Sequence, residues 1–556
     1  MTRLMPLLLA AVSLAAFAAP SLSEDRADLL LQHGVFYPVH PPGRVEGSLA
    51  VRGGRIVYLG PDAGAQALRG PATRVIDLHG RAVTPGLIDA HSHFLGLGES
   101  LEEVDLTGAP TYEEVISRVK AAARDLPPGA WVRGRGWDQN RWPGKQFPTQ
   151  GPLSAAVPDH PVWLERVDGH AALGNARALE IWKIDKTTAD PPGGRLLRDA
   201  SGAPTGVLVD RAQGLAHLPE PTPEDLDRRL RRAARHCLAV GLTTVTDMGI
   251  SQPVYEAYAK LHRAGQLPLR AALFLTDDEA LLKSWFARGP EIDPQARLTV
   301  RGVKMYADGA LGSRGAALLA PYSDDPGNSG LLVTPEAHME EVARQALAHG
   351  FQVGIHAIGD RGNQTALNAM EKALGGPKPE ARFRLEHAQV MTLDDIRRLG
   401  RLGVIASMQP THATSDMPWA GDRVGEKRLA GAYAWRKVKN AGGRLALGSD
   451  FPVESDDPRL GLYAAVTRQD LQGQPAGGWL PAEKLTRDEA LAGFTADAAW
   501  SLFLDPEVGT LEVGKRADLV VFGKDPMRVP EREIPTAPVD LTLVDGQVAF
   551  AREGAR

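Results

Sequence analysis

The apolar positions of the chain fall into two textures. Between Asp28 and about Thr84 they come in short runs, Leu29–Leu31, Ser48–Arg52, Arg55–Leu59 and Val75–Leu78, separated by Gly53-Gly54 and Pro61-Asp62. Short apolar runs bounded by turn residues predict strands. The same texture returns in Ala517–Phe522, Leu541–Val544 and Val548–Phe550, the last two on either side of Asp545-Gly546. Two β-rich ends around a long middle predict one small β-sandwich built from both termini, residues 24–84 and 505–556.

The middle alternates apolar strands with amphipathic helical stretches such as Pro335–His349 and Leu393–Leu402. The candidate strands are Gly86–Asp89, Thr243–Thr246, Arg270–Leu275, Val303–Tyr306, Gln352–Ile355, Arg384–Glu386, Val404–Ser407 and Arg444–Leu447. That rhythm predicts an α/β fold, a (β/α)8 TIM-like barrel over residues 85–504. The surplus between Leu101 and His236 is expected to be an insertion at about 101–236 with strands of its own. It carries Trp131, Trp137, Trp142 and Trp163.

Composition narrows the function. The chain has 556 residues, too many for one typical core. Its 63 Lys+Arg against 68 Asp+Glu leave no basic excess, which argues against nucleic acid as a partner. The single cysteine, Cys237, rules out an internal disulfide framework and any Cys-rich zinc module, and is read as structural. Residues 1–23 combine Arg3, a short Leu/Ala-rich apolar run and the small-residue stretch Ala16-Phe17-Ala18, the layout of a signal peptide. The run is shorter than the ~20 residues that span a bilayer, so no stable membrane association is expected after cleavage. The mature protein is expected in a periplasm or outside the cell, and one cysteine suits such an oxidising compartment.

Metal-capable residues end nearly every predicted barrel strand, and strand ends of a (β/α) barrel converge on one mouth. His91-Ser-His93 follows the first strand, and residues i and i+2 of an extended segment share a side. Lys304, His356, His387 and Asp450 follow on later strands. Histidines with a carboxylate form the N/O donor set of zinc or a similar divalent ion. Asp89 braces the first strand. Taken alone, Lys304 is equally readable as a buried cation paired with Asp308.

The order His-x-His, Lys, His, His, Asp resembles the amidohydrolase superfamily. Thr84-Pro-Gly-Leu-Ile-Asp-Ala-His-Ser-His93, Asp308-Gly-Ala-Leu-Gly-Ser-Arg314, Glu386-His-Ala-Gln389, Gly448-Ser-Asp450 and the returning segment Gly509–Val521 are similar to its YtcJ-like (amidohydrolase 3) branch. The resemblance covers essentially the whole mature chain. It implies a metal-dependent hydrolase holding one or two divalent ions, with zinc the first choice. The ligands it implies are His91, His93, Lys304, His356, His387 and Asp450. It also implies that Lys304 can be carboxylated, its carbamate bridging two ions.

A divalent ion lowers the pKa of a bound water from 15.7 to about 7 and polarises a carbonyl, so no serine or cysteine nucleophile is needed. Asp450 would take the water proton and pass it to the leaving nitrogen, as both ligand and general base. Substrate contacts are expected from Asp168 and His170, in a segment similar to one near the active site of the same branch. Arg314, Trp137 and His412 complete that set, His412 as a substrate contact or support and the poorest ligand candidate.

The leading expectation is hydrolysis of a non-peptide carbon–nitrogen bond in an amide, N-acyl or N-formyl small molecule. A mononuclear deaminase of a heterocycle is the alternative, disfavoured because no Glu lies near His356. An inactive secreted binding protein and a Schiff-base aldolase using Lys304 rank lower. A homodimer is the assembly left open.

Overall fold

The computed structural model describes residues 26–554 apart from 125, 140–141, 167–170, 192–193 and 313. Residues 1–23, expected as a signal peptide, lie outside the described residues. Among them, no helix is long and apolar enough to cross a membrane.

Five short strands open the chain: β1 (Leu29–Phe36), β2 (Val45–Arg52), β3 (Arg55–Gly60), β4 (Arg74–Asp77) and β5 (Ala82–Pro85). The first barrel strand, β6 (Leu87–Asp89), follows directly. An excursion then makes β7 (Val104–Asp105), β8 (Val132–Trp137), β9 (Val162–Arg166), β10 (Ala171–Gly174), β11 (Gly194–Arg198) and β12 (Pro204–Asp210). The barrel resumes with β13 (Leu242–Ile250), β14 (Arg270–Thr276), the short β15 (Glu291–Ile292) and β16 (Leu298–Tyr306). It continues through β17 (Gln352–Ala357), β18 (Arg384–His387), β19 (Ile405–Met408) and β20 (Leu445–Leu447). Three last strands return to the start: β21 (Leu519–Phe522), β22 (Val539–Val544) and β23 (Gln547–Ala551).

The barrel sheet runs β20-β19-β18-β17-β16-β14-β13-β6, eight strands, with every neighbouring pair parallel. It closes through Ala90 N donating to Leu447 O at 3.1 Å and Asp450 N donating to His91 O at 2.8 Å. That closure needs Gly448. A Cβ there would lie 2.6 Å from His91 N, closer than such atoms approach. The helices Glu336–Ala348 and Leu393–Leu402 stand where the periodicity placed them.

Both ends of the chain contribute to one eight-stranded sheet, order β23-β22-β21-β5-β1-β2-β3 with β4 on β1. The joint is β21 antiparallel to β5, Leu519 opposite Pro85. Alternation along β21 serves two cores at once. Leu519 and Val521 pack with Leu29, Leu31 and Leu49, whereas Val520 and Phe522 pack into the barrel's apolar shell. A strand whose successive side chains leave opposite faces can do this only if both faces are covered. Hence Leu519–Phe522 is buried throughout.

The insertion forms a six-stranded sheet, β11-β12-β10-β9-β8-β7, with its own core of Leu106, Val132, Trp137, Trp142 and Leu164. The helix Pro223–Ala239 falls within the stretch expected as insertion but packs Leu226, Leu230, Ala233, Cys237 and Leu238 into the barrel. Thr222 and Asp225 cap it reciprocally. Cys237 is a buried free thiol whose pKa burial pushes well up, so it is inert packing.

At the foot of the barrel, fully buried Arg270 joins the barrel to the terminal sheet. Its Nε and Nη2 donate to Asp518 at 2.7 and 2.8 Å, and Nη2 also reaches Asp545 Oδ1 at 2.5 Å. Arg297 and Arg516 pair with the same Asp545.

Candidate metal centre

The carboxyl ends of β6, β16, β17, β18, β19 and β20 bring His91, His93, Lys304, His356, His387, His412 and Asp450 to one place at the mouth. His91 Nε2 lies 3.2 Å from Lys304 Nζ and 3.4 Å from Asp450 Oδ1. His93 Nε2 lies 3.3 Å from the same oxygen, and His412 Nε2 lies 3.6 Å from Oδ2. The His387 ring centre is 4.7 Å from that of His91, 4.6 Å from that of His356 and 5.8 Å from that of His412. Donor atoms of His91, His93 and Asp450 all lie within 4.8 Å of one another, as do those of His387, His412 and Asp450.

Hydrogen bonds fix which nitrogen faces the centre in the rings of His91, His356 and His387. His91 Nδ1 donates to Glu386 Oε2 at 2.6 Å, leaving the Nε2 lone pair inward. Glu386 is held by Arg384, with Nε on Oε1 at 2.8 Å and Nη2 on Oε2 at 3.0 Å. Arg384 Nη2 also donates to Ala90 O at 2.6 Å, tying β18 to the β6 end. His387 Nδ1 donates to Gln409 Oε1 at 2.8 Å, again freeing Nε2. His356 Nε2 faces Gly309 O at 3.4 Å, which leaves its Nδ1 free. A carboxylate or amide behind a histidine orients the ring and raises its basicity. Asp89 accepts from His91 N and Ser449 N, both at 3.1 Å, and from Ser449 Oγ at 2.7 Å, fastening the strands that carry His91 and Asp450.

The backbone bends to make this cluster. His387 has φ 71° and Asp450 φ 64°, in the left-handed region that costs ordinary residues energy and that Asp tolerates better. Glu386 and His387 are consecutive, yet both contact the His91 ring. Regular alternation forbids that, and the turned backbone at 387 permits it.

Electrostatics favour cation binding. Burial pushes the His356 pKa down to about 3 and that of His387 well below its ordinary value, so both rings are neutral. Burial lowers the Lys304 ammonium to about 8. Burial would raise Asp450, but the His91 and His93 rings hold it well below the usual carboxylate range. Glu386 resists burial in the same way, through Arg384 first and then His91. Asp450 Oδ1 and His412 Nε2 are buried with no hydrogen-bond partner among the described residues. Buried polar atoms left unpaired are uncommon and costly, and a cation among neutral imidazoles and a carboxylate would satisfy Asp450 Oδ1. The donor set fits a divalent metal.

Several other expected residues have contacts of their own. The Lys304–Asp308 pair is not formed. Asp308 accepts instead from the backbone N–H groups of Ala317, Ile358 and Gly359 at 2.9, 2.9 and 2.8 Å. Lys304 Nζ sits 4.9 Å from the Tyr306 ring centre. Trp137 is buried in the insertion's core and donates Nε1 to Leu164 O at 2.8 Å. Arg314 forms a two-point ion pair with Asp324 at 3.1 and 3.0 Å. Asp168 and His170 lie outside the described residues. Sequence reasoning missed Glu386, Arg384, Gln409 and Tyr306 as parts of the site. Glu386 and Gln409 stood beside the expected His387 and His412 and carried no pattern of their own.

Comparison with known proteins agrees with the geometry. A family model described as "Amidohydrolase family" matches residues 74–550. The chain is 33% identical to the putative amidohydrolase YtcJ of Bacillus subtilis over 494 residues, covering 87% of this chain and 91% of that one. It is 29% identical over 526 residues to the N-substituted formamide deformylase of Arthrobacter pascens, covering 91% and 95%. Among solved structures, an uncharacterized metal-dependent hydrolase from Pyrococcus furiosus is similar with a TM-score of 0.76 at 30% identity, covering 90% of this chain and all of that one.

Proposed function

The chain belongs to the amidohydrolase family, and from that premise we propose that it hydrolyses a non-peptide carbon–nitrogen bond, in an N-formyl or small N-acyl amine. The observation that carries the reading is Asp450. Its carboxylate is buried and anionic, and its Oδ1 lies against His91 and His93 without a hydrogen bond. An N-substituted formamide is the substrate class written into the name of one relative, the Arthrobacter deformylase, across 95% of that protein's length.

His91, His93, His356, His387 and Asp450 would hold the cation, with zinc the first choice for an N/O set. Lys304 stands inside the cluster and would join as a carbamate where two ions are bound. Such an ion supplies Lewis acidity, which acidifies water and polarises a carbonyl. The chain's own residues do the rest. Asp450 accepts the proton of the attacking water as its oxygen bonds to the carbonyl carbon. The same carboxyl then gives that proton to the nitrogen as the C–N bond breaks, leaving a carboxylic acid and an amine. Glu386 and Gln409 keep the His91 and His387 tautomers fixed through the cycle. The segment 1–23 would direct the mature enzyme to the periplasm or the exterior.

The test is a panel of N-alkyl and N-aryl formamides and acetamides, assayed with and without a chelator. Release of amine that stops on chelation and returns with zinc supports the reading. Ammonia release from heterocycles instead would replace it with the deaminase reading.

A further inference from the structure

We propose that His412 is a catalytic residue that donates a hydrogen bond from Nε2 to the substrate carbonyl oxygen, and not a metal ligand; this rests on the amide-hydrolysis reading above. His412 sits in the first turn of the helix Pro410–Asp416, which begins directly after β19. Its ring lies nearly parallel to that of His387, at 18° and 5.8 Å between centres. Its side chain is only 12% exposed.

Three observations separate it from the other imidazoles. First, the rings of His91, His356 and His387 each have one nitrogen set against an acceptor, Glu386, Gly309 O and Gln409 respectively. Neither His412 nitrogen has a hydrogen-bond partner among the described residues. Ligating histidines almost always have the second nitrogen held in this way. His93 shares that freedom, but it crowds Asp450 Oδ1 beside His91, while His412 faces Oδ2 on the other side.

Second, Nε2 faces a carboxylate at 3.6 Å. The nearby negative charge favours the tautomer with hydrogen on Nε2, while the distance is too long for a hydrogen bond to Asp450. The donor is therefore aimed beside the general base and left open. Third, Nε2 is buried, and among the described residues no acceptor satisfies it. An unpaired buried donor is costly, and the cost is recovered only when an acceptor arrives. A substrate carbonyl oxygen placed over Asp450 is such an acceptor. As water attacks, the carbonyl π pair moves onto that oxygen, and the hydrogen bond from Nε2 strengthens with the charge. When the intermediate collapses, the pair returns and the amine leaves with the proton from Asp450. A donor that meets developing charge stabilises the transition state more than the ground state.

Two variants separate this role from a structural or ligating one. His412→Phe keeps an aromatic ring against His387 and removes the donor. His412→Gln puts an amide N–H at about the reach of Nε2. The probes are N-butylformamide and formanilide as substrates. N-Butyl methylphosphonamidate, a tetrahedral mimic of the hydration intermediate of the corresponding acetamide, is titrated calorimetrically onto the zinc-loaded full chain. H412F is expected to lower kcat by ~10²–10³-fold, with KM changed less than about threefold. Its affinity for the mimic should fall in parallel, with metal content equal to wild type. H412Q should recover at least about tenfold of kcat, since it restores a donor of the oxyanion-stabilising kind. Loss of metal in H412F assigns His412 to the ligand set and overturns the proposal. So does wild-type kcat in H412F, or failure of H412Q to exceed it. A wild-type enzyme inert toward every amide overturns the amide-hydrolysis reading and this inference with it.

Discussion

Two buried ionic clusters sit at opposite ends of the same barrel, and they are built on opposite principles. At the foot, Arg270 meets Asp518 and Asp545, and Asp545 is also held by Arg297 and Arg516. Each charge there has an opposite charge at hydrogen-bond distance. At the mouth, the neutral rings of His356 and His387 crowd one carboxylate, and Asp450 Oδ1 and His412 Nε2 have no hydrogen-bond partner among the described residues. The foot spends charge on joining two domains, and its bonds are complete in the protein alone. The mouth leaves polar atoms unpaired among the described residues, and in the proposed function a cation and a substrate would pair with them. An ionic cluster that is satisfied marks architecture. One that is not marks chemistry.

Substitutions at the two ends should therefore fail in different ways. The largest effect is expected from Asp450→Asn. The amide fits the left-handed backbone at this position but cannot accept the proton, so kcat should fall by at least ~10³-fold. The metal-free variant should melt no lower than the wild type. Near-normal turnover with full metal content would break the contrast. Next comes Arg270→Met at the foot, which strands Asp518 and should cost ~3–5 kcal/mol of stability in denaturant unfolding, as breaking a buried pair does. Its kcat per folded molecule should be unchanged.

Glu386→Gln lies between the two kinds, because Glu386 is fully paired yet supports a ligand. It should weaken metal binding by ~10–100-fold, read by chelator competition. The smallest effect belongs to a pair that is part of neither cluster, His236 and buried Asp456, at 2.7 Å. The hydrogen bond to Asp456 raises the His236 pKa above 6.5, against burial. A raised histidine pKa contributes stability that is present below 6.5 and lost as pH rises through the folded value. His236 is about half exposed, so after screening the contribution is at most about 1 kcal/mol. Melting temperature should decline gently from pH 6.5 upward, and Asp456→Asn should flatten the decline.

The sequence revealed the barrel because its eight strands are apolar, short and separated by helices of clear period. The strand ends then followed from topology, which is why His91, His93, Lys304, His356, His387 and Asp450 could be named together. What stayed hidden depends on three-dimensional contact. Glu386 reads as an ordinary strand residue until the turned backbone at His387 lets both touch His91. Arg314 and Trp137 have the residue types of substrate contacts. Only the fold shows that one is paired with Asp324 and the other packed in the insertion. His412 looked like a loop histidine, and its meaning lies in a buried Nε2 without a partner among the described residues, which no sequence displays.

The central claim is that the barrel mouth holds a divalent metal between His91, His93, His356, His387 and Asp450. Anomalous X-ray diffraction from crystals of the protein, collected on both sides of the zinc edge, tests it most directly. The account predicts an edge-dependent peak ~2.0–2.2 Å from His91 Nε2 and Asp450, the bonding range for zinc. A mouth without such a peak in crystals grown from zinc-loaded, catalytically active protein would contradict it.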